Sequence, residues 1–383
     1  MNDCATPTLR FETTPLEVEA AFDGGRITSD GGLLWLAKAD EELGVCEEIS
    51  NYVPEWRVSS VRHSLLTLVR QRVYQIACGY EDQNDSDTLR ADPLLKLVLG
   101  LAPEAEEDLA SQPTFSRLEN APSAKDCLRI ARALGETYVR RRARENPSEG
   151  APKKILLDFD STDDPTHGEQ EGSAYHGYHR QRMYHPLLVF DGETNQLITA
   201  VLRGGATHAS KGALAILRRI VQRIRQAWDG VGIEIRADAG FAVPEIYDYC
   251  EKEGIDYTIG LVSNPRLEAM AAPLLEQAKR ESEESGGGKV RLLSDAFYRA
   301  ESWEHARRVV YKAEMLAKGT NTRFVVTTKR GDPLSLYDFY VRRGESEGWI
   351  KDFKRALTNY LKRDRRCCRR YHSKMQATLI KPR

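Results

Sequence analysis

The chain has 383 residues, of which 41% are hydrophobic and 30% charged, and its formal net charge at pH 7 is −1. This length can bury a large core and predicts two or three domains. A transmembrane helix is excluded because no run of about 18 apolar residues occurs, and the first residues lack the basic-then-apolar order of a secretory signal. The seven cysteines are scattered without a C-x-x-C pair. We therefore expect reduced thiols in a cytoplasmic protein and no zinc knuckle.

The near-zero net charge conceals a basic end. Residues 351–383 contain twelve Lys and Arg against two Asp, a surplus of ten positive charges that leaves the first 350 residues with a net charge of −11. A basic segment on an acidic body suggests a polyanionic partner, although a solvated tail has the same composition.

Residues 1–150 are predicted to be mainly helical. Amphipathic stretches lie at 31–43, 61–77, 93–99 and 124–142, with short polar breaks between them. Four arginines, Arg140, Arg141, Arg142 and Arg144, close this region as a basic cluster. The Pro, Gly and Ser content of residues 146–153 predicts a linker and the first domain boundary.

Residues 151–264 switch to a β-rich pattern with helices. Apolar runs at 154–160, 183–190 and 197–202 predict three strands in a meander. A helix over 213–228, a strand over 233–237, a helix over 244–253 and a strand over 256–262 follow. The order β-β-β-α-β-α-β predicts an α/β fold with a mixed sheet flanked by helices.

Residues 265–332 interrupt this core. They open with a charged helix, pass through the glycine-rich segment 285–288 and contain candidate strands at 298–300, 307–313 and 323–328, which predicts an inserted β-containing subdomain. A helix over 333–357 returns to the core, and residues 358–383 form a basic tail.

Three carboxylates are candidates for a common site. Asp160 ends the first core strand and Asp238 follows the fourth, and these strands are predicted neighbours; Glu347 lies on the late helix. Three converging carboxylates suit two Mg²⁺ ions and phosphoryl transfer. An Asp at a strand end is also a common helix N-cap or turn former. For Asp158, two residues before Asp160 on the same strand face, and for Asp163–Asp164, the structural interpretation is favoured.

Glu347 has a distinctive set of neighbours. Tyr340, Arg343, Glu347 and Lys354 are spaced by three, four and seven residues, which places them within an arc of roughly 60° on a helix. Two cations beside a carboxylate suit a metal ligand next to phosphate oxygens, and the Tyr ring offers a stacking edge. A surface helix with i,i+4 charge pairs has the same spacing.

In this combination the chain resembles the DDE-type transposases of bacterial insertion sequences, in the branch marked by Tyr-x2-Arg-x3-Glu-x6-Lys. The segments LLDFDSTDD around Asp160 and IRADAGF around Asp238 resemble those around the family's first and second Asp. The resemblance covers roughly residues 10–357. It implies an RNase H-like catalytic core with Asp160, Asp238 and Glu347 as catalytic residues and metal ligands.

The resemblance also implies a function. Such enzymes bind the terminal inverted repeats of their element, hydrolyse the DNA with two Mg²⁺ or Mn²⁺ ions and join the freed 3′-hydroxyl to target DNA. Tyr340, Arg343 and Lys354 would position phosphates and the strand, and residues 1–150 would recognise DNA ends and form a homodimer. A nucleoid-associated protein in the cytoplasm, without a membrane partner, is expected.

Two features stay open. A loop rich in His and Tyr follows Asp160 and is interpreted as a DNA contact or as packing rather than as a metal cluster: His167, Tyr175, His176, Tyr178, His179, Tyr184 and His185. Residues 358–383 lack the apolar helices that the family has after its Glu helix, which is typical of a truncated or frame-shifted end. An RNase H-like endonuclease without transposition and an inactive DNA-binding relative are therefore the alternative functions.

Overall fold

A computed structural model describes residues 28–351 apart from 59–60, 146–150, 167–169 and 349, together with the backbone of two short paired strands, β1 (Leu9–Phe11) and β2 (Val18–Ala20). His167, Lys354, the predicted boundary at 146–150 and the tail lie outside the described residues. The chain divides into two compact units, one up to Asp126 and the other from Cys127. None of the helices so described is long and apolar enough to cross a membrane.

The first unit is helical, as the sequence predicts. Its helices are α1 (Leu33–Leu43), α2 (Val45–Ser50), α3 (Leu65–Ala77), α4 (Ser86–Leu89), α5 (Pro93–Val98) and α6 (Gln112–Asn120). A buried carboxylate, Asp40 of α1, accepts hydrogen bonds from the backbone N–H of Cys46 (2.8 Å), Nε of Arg70 (3.0 Å) and Oη of Tyr74 (3.2 Å). It thereby joins α1, α2 and α3.

The long helix α7 (Ala124–Glu145) leads to the sheet of the second unit. The elements that follow are β3 (Lys154–Ser161), β4 (Asp164–Pro165), β5 (Ala174–His176), β6 (Gln181–Tyr184), β7 (Leu187–Asp191), β8 (Leu197–Val201), α8 (Ala213–Ala227), β9 (Gly232–Ala237), α9 (Pro244–Glu253), β10 (Asp256–Leu261), α10 (Pro265–Glu284), β11 (Val290–Tyr298), β12 (Arg307–Leu316), β13 (Gly319–Thr327) and α11 (Pro333–Val341).

The main sheet has eight strands in the order β11-β12-β13-β10-β9-β3-β7-β8. The strands β3, β7 and β8 pair as an antiparallel meander, whereas β9 runs parallel to both β3 and β10. The predicted mixed sheet of the RNase H-like kind is therefore confirmed. The inserted segment 265–332 contains β structure as predicted, but its first strand is β11 (Val290–Tyr298) and not 298–300. Its three strands continue this sheet through the β10–β13 pair.

Sequence periodicity explains why the sheet is covered. In β3 all residues from Ile155 to Asp160 are buried, as expected for a strand packed on both faces. Helix α8 buries one stripe, Leu217, Ile220, Val221 and Ile224, against the core. The helix α9 begins at Pro244 and ends before Gly254, whose φ is +64°, so both of its predicted ends match Pro and Gly signals.

A further predicted strand differs in its extent. The run 183–190 contributes to two strands, β6 and β7, rather than one. His185 and Pro186 separate them, and Pro186 has no N–H to donate to a ladder. The strands β4, β6 and β5 form a small separate sheet in that order.

Candidate active site

The two aspartates meet because their strands are parallel neighbours. In the β3–β9 ladder Phe159 lies opposite Ala237. Asp160 is the next residue of β3, and Asp238 directly follows the end of β9. Parallel strands end at the same edge of a sheet, so both carboxylates come to this edge. Asp160 is buried there, with one carboxylate oxygen accepting the N–H of Ser161 at 2.8 Å.

Asp238 also caps a turn. Its Oδ1 accepts the N–H of Gly240 at 2.8 Å and opens the 3₁₀ helix Ala239–Phe241. The structural role that the sequence suggested is therefore real. Because this cap uses only Oδ1, the other carboxylate oxygen of Asp238 can still bind a ligand.

Glu347 and Arg343 complete the cluster. Nη2 of Arg343 donates to Oε1 of Glu347 at 2.7 Å, and Nη1 lies 3.9 Å from Oδ1 of Asp160. This Nη1 is buried and has no hydrogen-bond acceptor in the part of the chain that the structure describes. The guanidinium thus lies between two carboxylates with one nitrogen unsatisfied.

The charges of this cluster act on one another. Burial, together with the negative charges of Asp238 and Glu347, raises the pKa of Asp160 to about 7 although Arg343 opposes the rise. Burial opposes the charge of Arg343, but Tyr340, Asp160 and Glu347 hold the pKa of the guanidinium above its ordinary value. The cluster is therefore rich in negative charge that one arginine only partly balances.

The predicted continuous helix through Glu347 is wrong in one respect. Helix α11 ends at Val341, a turn occupies 342–343, and helical residues resume at 344–348. The N–H groups of Arg343, Glu345 and Ser346 donate to the carbonyl oxygens three residues earlier, at 3.0, 3.0 and 3.2 Å. This is the hydrogen-bond pattern of a 3₁₀ helix, which is wound more tightly than an α-helix. Gly344, a weak helix former, follows the turn.

Tyr340 packs against the backbone of the sheet. A Cβ built on Gly260 would lie 2.4 Å from the hydroxyl oxygen of Tyr340 and 3.0 Å from the N of Ala239. Burial raises the pKa of the Tyr340 phenol. Tyr340 therefore supports the turn that carries Asp238 and lies inside the site.

Replacing Gly260 with Ala is expected to destabilise the protein by about 1–3 kcal/mol because the added methyl group has no room. Adding Tyr340→Phe removes the nearest atom and should recover part of that loss. Thermal melts of the single and double variants measure this coupling. If Gly260→Ala lowered the stability equally in the wild type and in Tyr340→Phe, the contact between Gly260 and the Tyr340 hydroxyl would be contradicted.

Asp158 has a different partner. Its two oxygens accept from Nε and Nη2 of Arg236 at 2.7 and 2.6 Å, and both side chains are buried. Nη1 of Arg236 donates to the carbonyl of Phe339 at 2.9 Å, and its guanidinium stacks on the Phe339 ring. The pair therefore ties α11 to β3 and β9. Arg236 was not among the predicted site residues. The signal that could have found it is an Arg within an apolar strand, which indicates a buried ion pair.

A family model for the transposase DDE domain, group 1, matches residues 12–375. The chain belongs to this family. The predicted family is thereby confirmed, and membership of a DDE transposase family implies nuclease or transferase activity in general terms. No curated protein matched the chain.

Among solved structures, the transposase is similar to a chain described as part of a cryo-EM structure of a piggyBac transposase synaptic complex with hairpin DNA. The identity is 10%, the match covers 82% of this chain and 67% of that chain, and the TM-score is 0.43.

The side chains fit the divalent metal ions that the family generally uses. Carboxylate oxygens are the ligands that Mg²⁺ prefers, and burial with the charges of Asp238 and Glu347 raises the pKa of Asp160. In the part of the chain that the structure describes, no group of three side chains is placed to hold an ion. Arg343 contacts both Asp160 and Glu347, and these carboxylates are the ones that would hold the metal ions.

Proposed function

We propose that the transposase binds the terminal inverted repeats of its element, hydrolyses the DNA there and joins the 3′-hydroxyl ends to target DNA. The observation that supports this most is that Asp160 feels the charges of Asp238 and Glu347, which come from separate elements, while Arg343 contacts both Asp160 and Glu347. Asp160, Asp238 and Glu347 would hold two Mg²⁺ or Mn²⁺ ions. When bound, such ions supply a lower pKa for the attacking water and neutralise charge on the leaving oxygen.

The protein side chains would position the DNA. Nη1 of Arg343 is buried and unsatisfied, and a phosphate oxygen beside Asp160 would give it an acceptor. Tyr340, whose hydroxyl lies beside Gly260 near the Asp238 turn, would support the strand. Lys354 would take a second phosphate, and a homodimer would bring two DNA ends together, as the family resemblance implies.

The test is cleavage of a duplex that carries the inverted repeat flanking the reading frame. We expect cutting with Mg²⁺ and none with EDTA. A pre-cleaved end should join to a supercoiled plasmid, and a 2′,3′-dideoxy end should not, because it lacks the attacking hydroxyl. Cutting without any joining of the normal end would favour the endonuclease alternative.

Replacing Arg343 with Ala is expected to weaken DNA binding and to lower the salt dependence, the slope of log K against log salt, by about one. Lys354→Ala should do the same. Arg342→Ala is the matched control, because Arg342 is exposed and pairs with Glu345 at 3.3 Å. If Arg343 were only an i,i+4 partner of Glu347, its loss would lower stability by about 0.2–0.5 kcal/mol and leave the salt slope unchanged.

A further inference from the structure

The small sheet β4-β6-β5 presents an aromatic and basic surface. Tyr175 lies directly opposite Arg182 in the β5–β6 hairpin, and Tyr178 and Arg180 lie in its turn. Tyr175 is 59% exposed and Tyr178 86% exposed. We call these four residues the hairpin patch. Two exposed tyrosines next to two exposed arginines mark a binding surface rather than a core.

The hairpin that carries the patch is packed against other side chains and backbone. The rings of His176, His179 and His185 pack together beneath it, with centroids 4.9, 5.1 and 6.1 Å apart. Gly205 also lies so close to β6 that a Cβ there would overlap the carbonyl oxygen of Met183. The hairpin that carries the patch is therefore closely packed against neighbouring residues.

The base of the hairpin patch is close to the candidate active site. The N–H of Thr162 donates to the carbonyl of Pro186 at 3.2 Å, and Gln181 donates to Asp163 at 3.0 Å. Asp164, which pairs with Tyr184 in the small sheet, follows Asp160 by four residues. An extended chain spans at most about 3.6 Å per residue, so Asp164 lies within about 14 Å of Asp160.

The chemistry of the hairpin patch favours nucleic acid over a second protein. Burial lowers the pKa of His176 and of His185, so the positive charge near neutral pH comes from the arginines. Planar arginines suit phosphates, and exposed tyrosines stack on bases of any sequence. Single-stranded DNA offers free base faces, whereas an intact duplex does not.

We propose that the hairpin patch binds unpaired nucleotides beside the scissile phosphate, with Tyr178 and Tyr175 stacking on bases and Arg180 and Arg182 contacting phosphates. This deepens the proposed function and rests on it. It assigns the residues after Asp160 a role in holding the opened strand near the cut.

The probe for this proposal is a forked DNA of mixed sequence with 2-aminopurine in its unpaired arm. Tyr178→Ala should weaken binding of this DNA about fivefold or more and reduce the quenching of 2-aminopurine, whereas Tyr178→Phe should keep both. Arg180→Ala should lower the salt slope by about 0.7. The control is Phe297→Ala, which removes a similarly exposed aromatic ring (76%) on β11. It should change neither the DNA affinity nor the quenching.

Three results would overturn the proposal. The first is wild-type DNA affinity and wild-type quenching in Tyr178→Ala. The second is an equal loss of affinity in Phe297→Ala. The third is reduced self-association of Tyr178→Ala in sedimentation with unchanged DNA binding, which would make a second copy of the chain the partner. Metal-dependent cleavage by the wild type is measured in parallel. If the wild type cleaves DNA while one of these three results is found, the hairpin-patch proposal fails and the proposed function stands. Absence of both binding and cleavage in the wild type would remove both proposals.

Discussion

Replacing Asp160, Asp238 or Glu347 with its amide is expected to abolish DNA cleavage while DNA binding continues. Loss of a residue behind a metal ligand costs about 10–100-fold, so loss of a ligand itself should exceed that range. The amides keep the local contacts: the amide oxygen in Asp238→Asn still accepts the N–H of Gly240, and the amide oxygen in Glu347→Gln still accepts from Arg343. Any loss of cleavage is then a loss of chemistry.

The measurement is single-turnover cleavage together with binding isotherms on the same duplex. Glu345→Gln is the matched control, because Glu345 is on the same helical segment and pairs with Arg342 away from the cluster. Cleavage at the wild-type rate in any one of the three amide variants would remove that residue from the proposed site.

Replacing Asp158 with Asn is expected to have the opposite effect, with stability lost and cleavage retained. It leaves Arg236 buried without its bidentate partner, and breaking a buried pair costs about 3–5 kcal/mol. For a unit of this size that corresponds to a fall in the melting temperature of roughly 6–20 °C. Below the melting range the folded fraction should cut DNA, whereas Asp160→Asn should not.

Thermal melts and cleavage assays at low temperature distinguish these outcomes. Glu276→Gln is the control, because its pair with Lys279 at 2.6 Å is exposed and contributes at most about 1 kcal/mol. A stable Asp158→Asn variant without activity, beside an active Asp160→Asn, would move the catalytic role two residues upstream.

The sequence predicts the sheet edge well because that part depends on local signals. Strand periodicity and the order of elements make β3 and β9 neighbours, and the register then brings Asp160 beside Asp238. The two-residue separation of Asp158 and Asp160 places them on one strand face, yet they meet different partners. Which of them meets Arg236 depends on the register, since Asp158 lies opposite Arg236 in the ladder.

Other features depend on distant contacts and were missed for that reason. β9 buries Glu234 and Arg236 between apolar residues, and their partners Lys154, Lys329 and Asp158 come from other elements. The turn at 342–343 interrupts a helix that spacing alone predicts as continuous. Helical spacing gives the angular positions of Arg343 and Glu347 but not the tertiary contact between Arg343 and Asp160 that accompanies this turn.

The position of Glu347 in the chain has a consequence for synthesis. Glu347 follows Asp238 by 109 residues, and β11, β12 and β13 lie between them in the chain. At about 5–20 residues per second, a ribosome needs roughly 5–20 s to add this stretch. Throughout that interval a nascent chain holds two of the three carboxylates and none of the segment that carries the third. A chain that stalls before Glu347 thus lacks one of the three carboxylates of the proposed site, and the proposed metal-dependent cleavage would begin only after the last part of the second unit has been made.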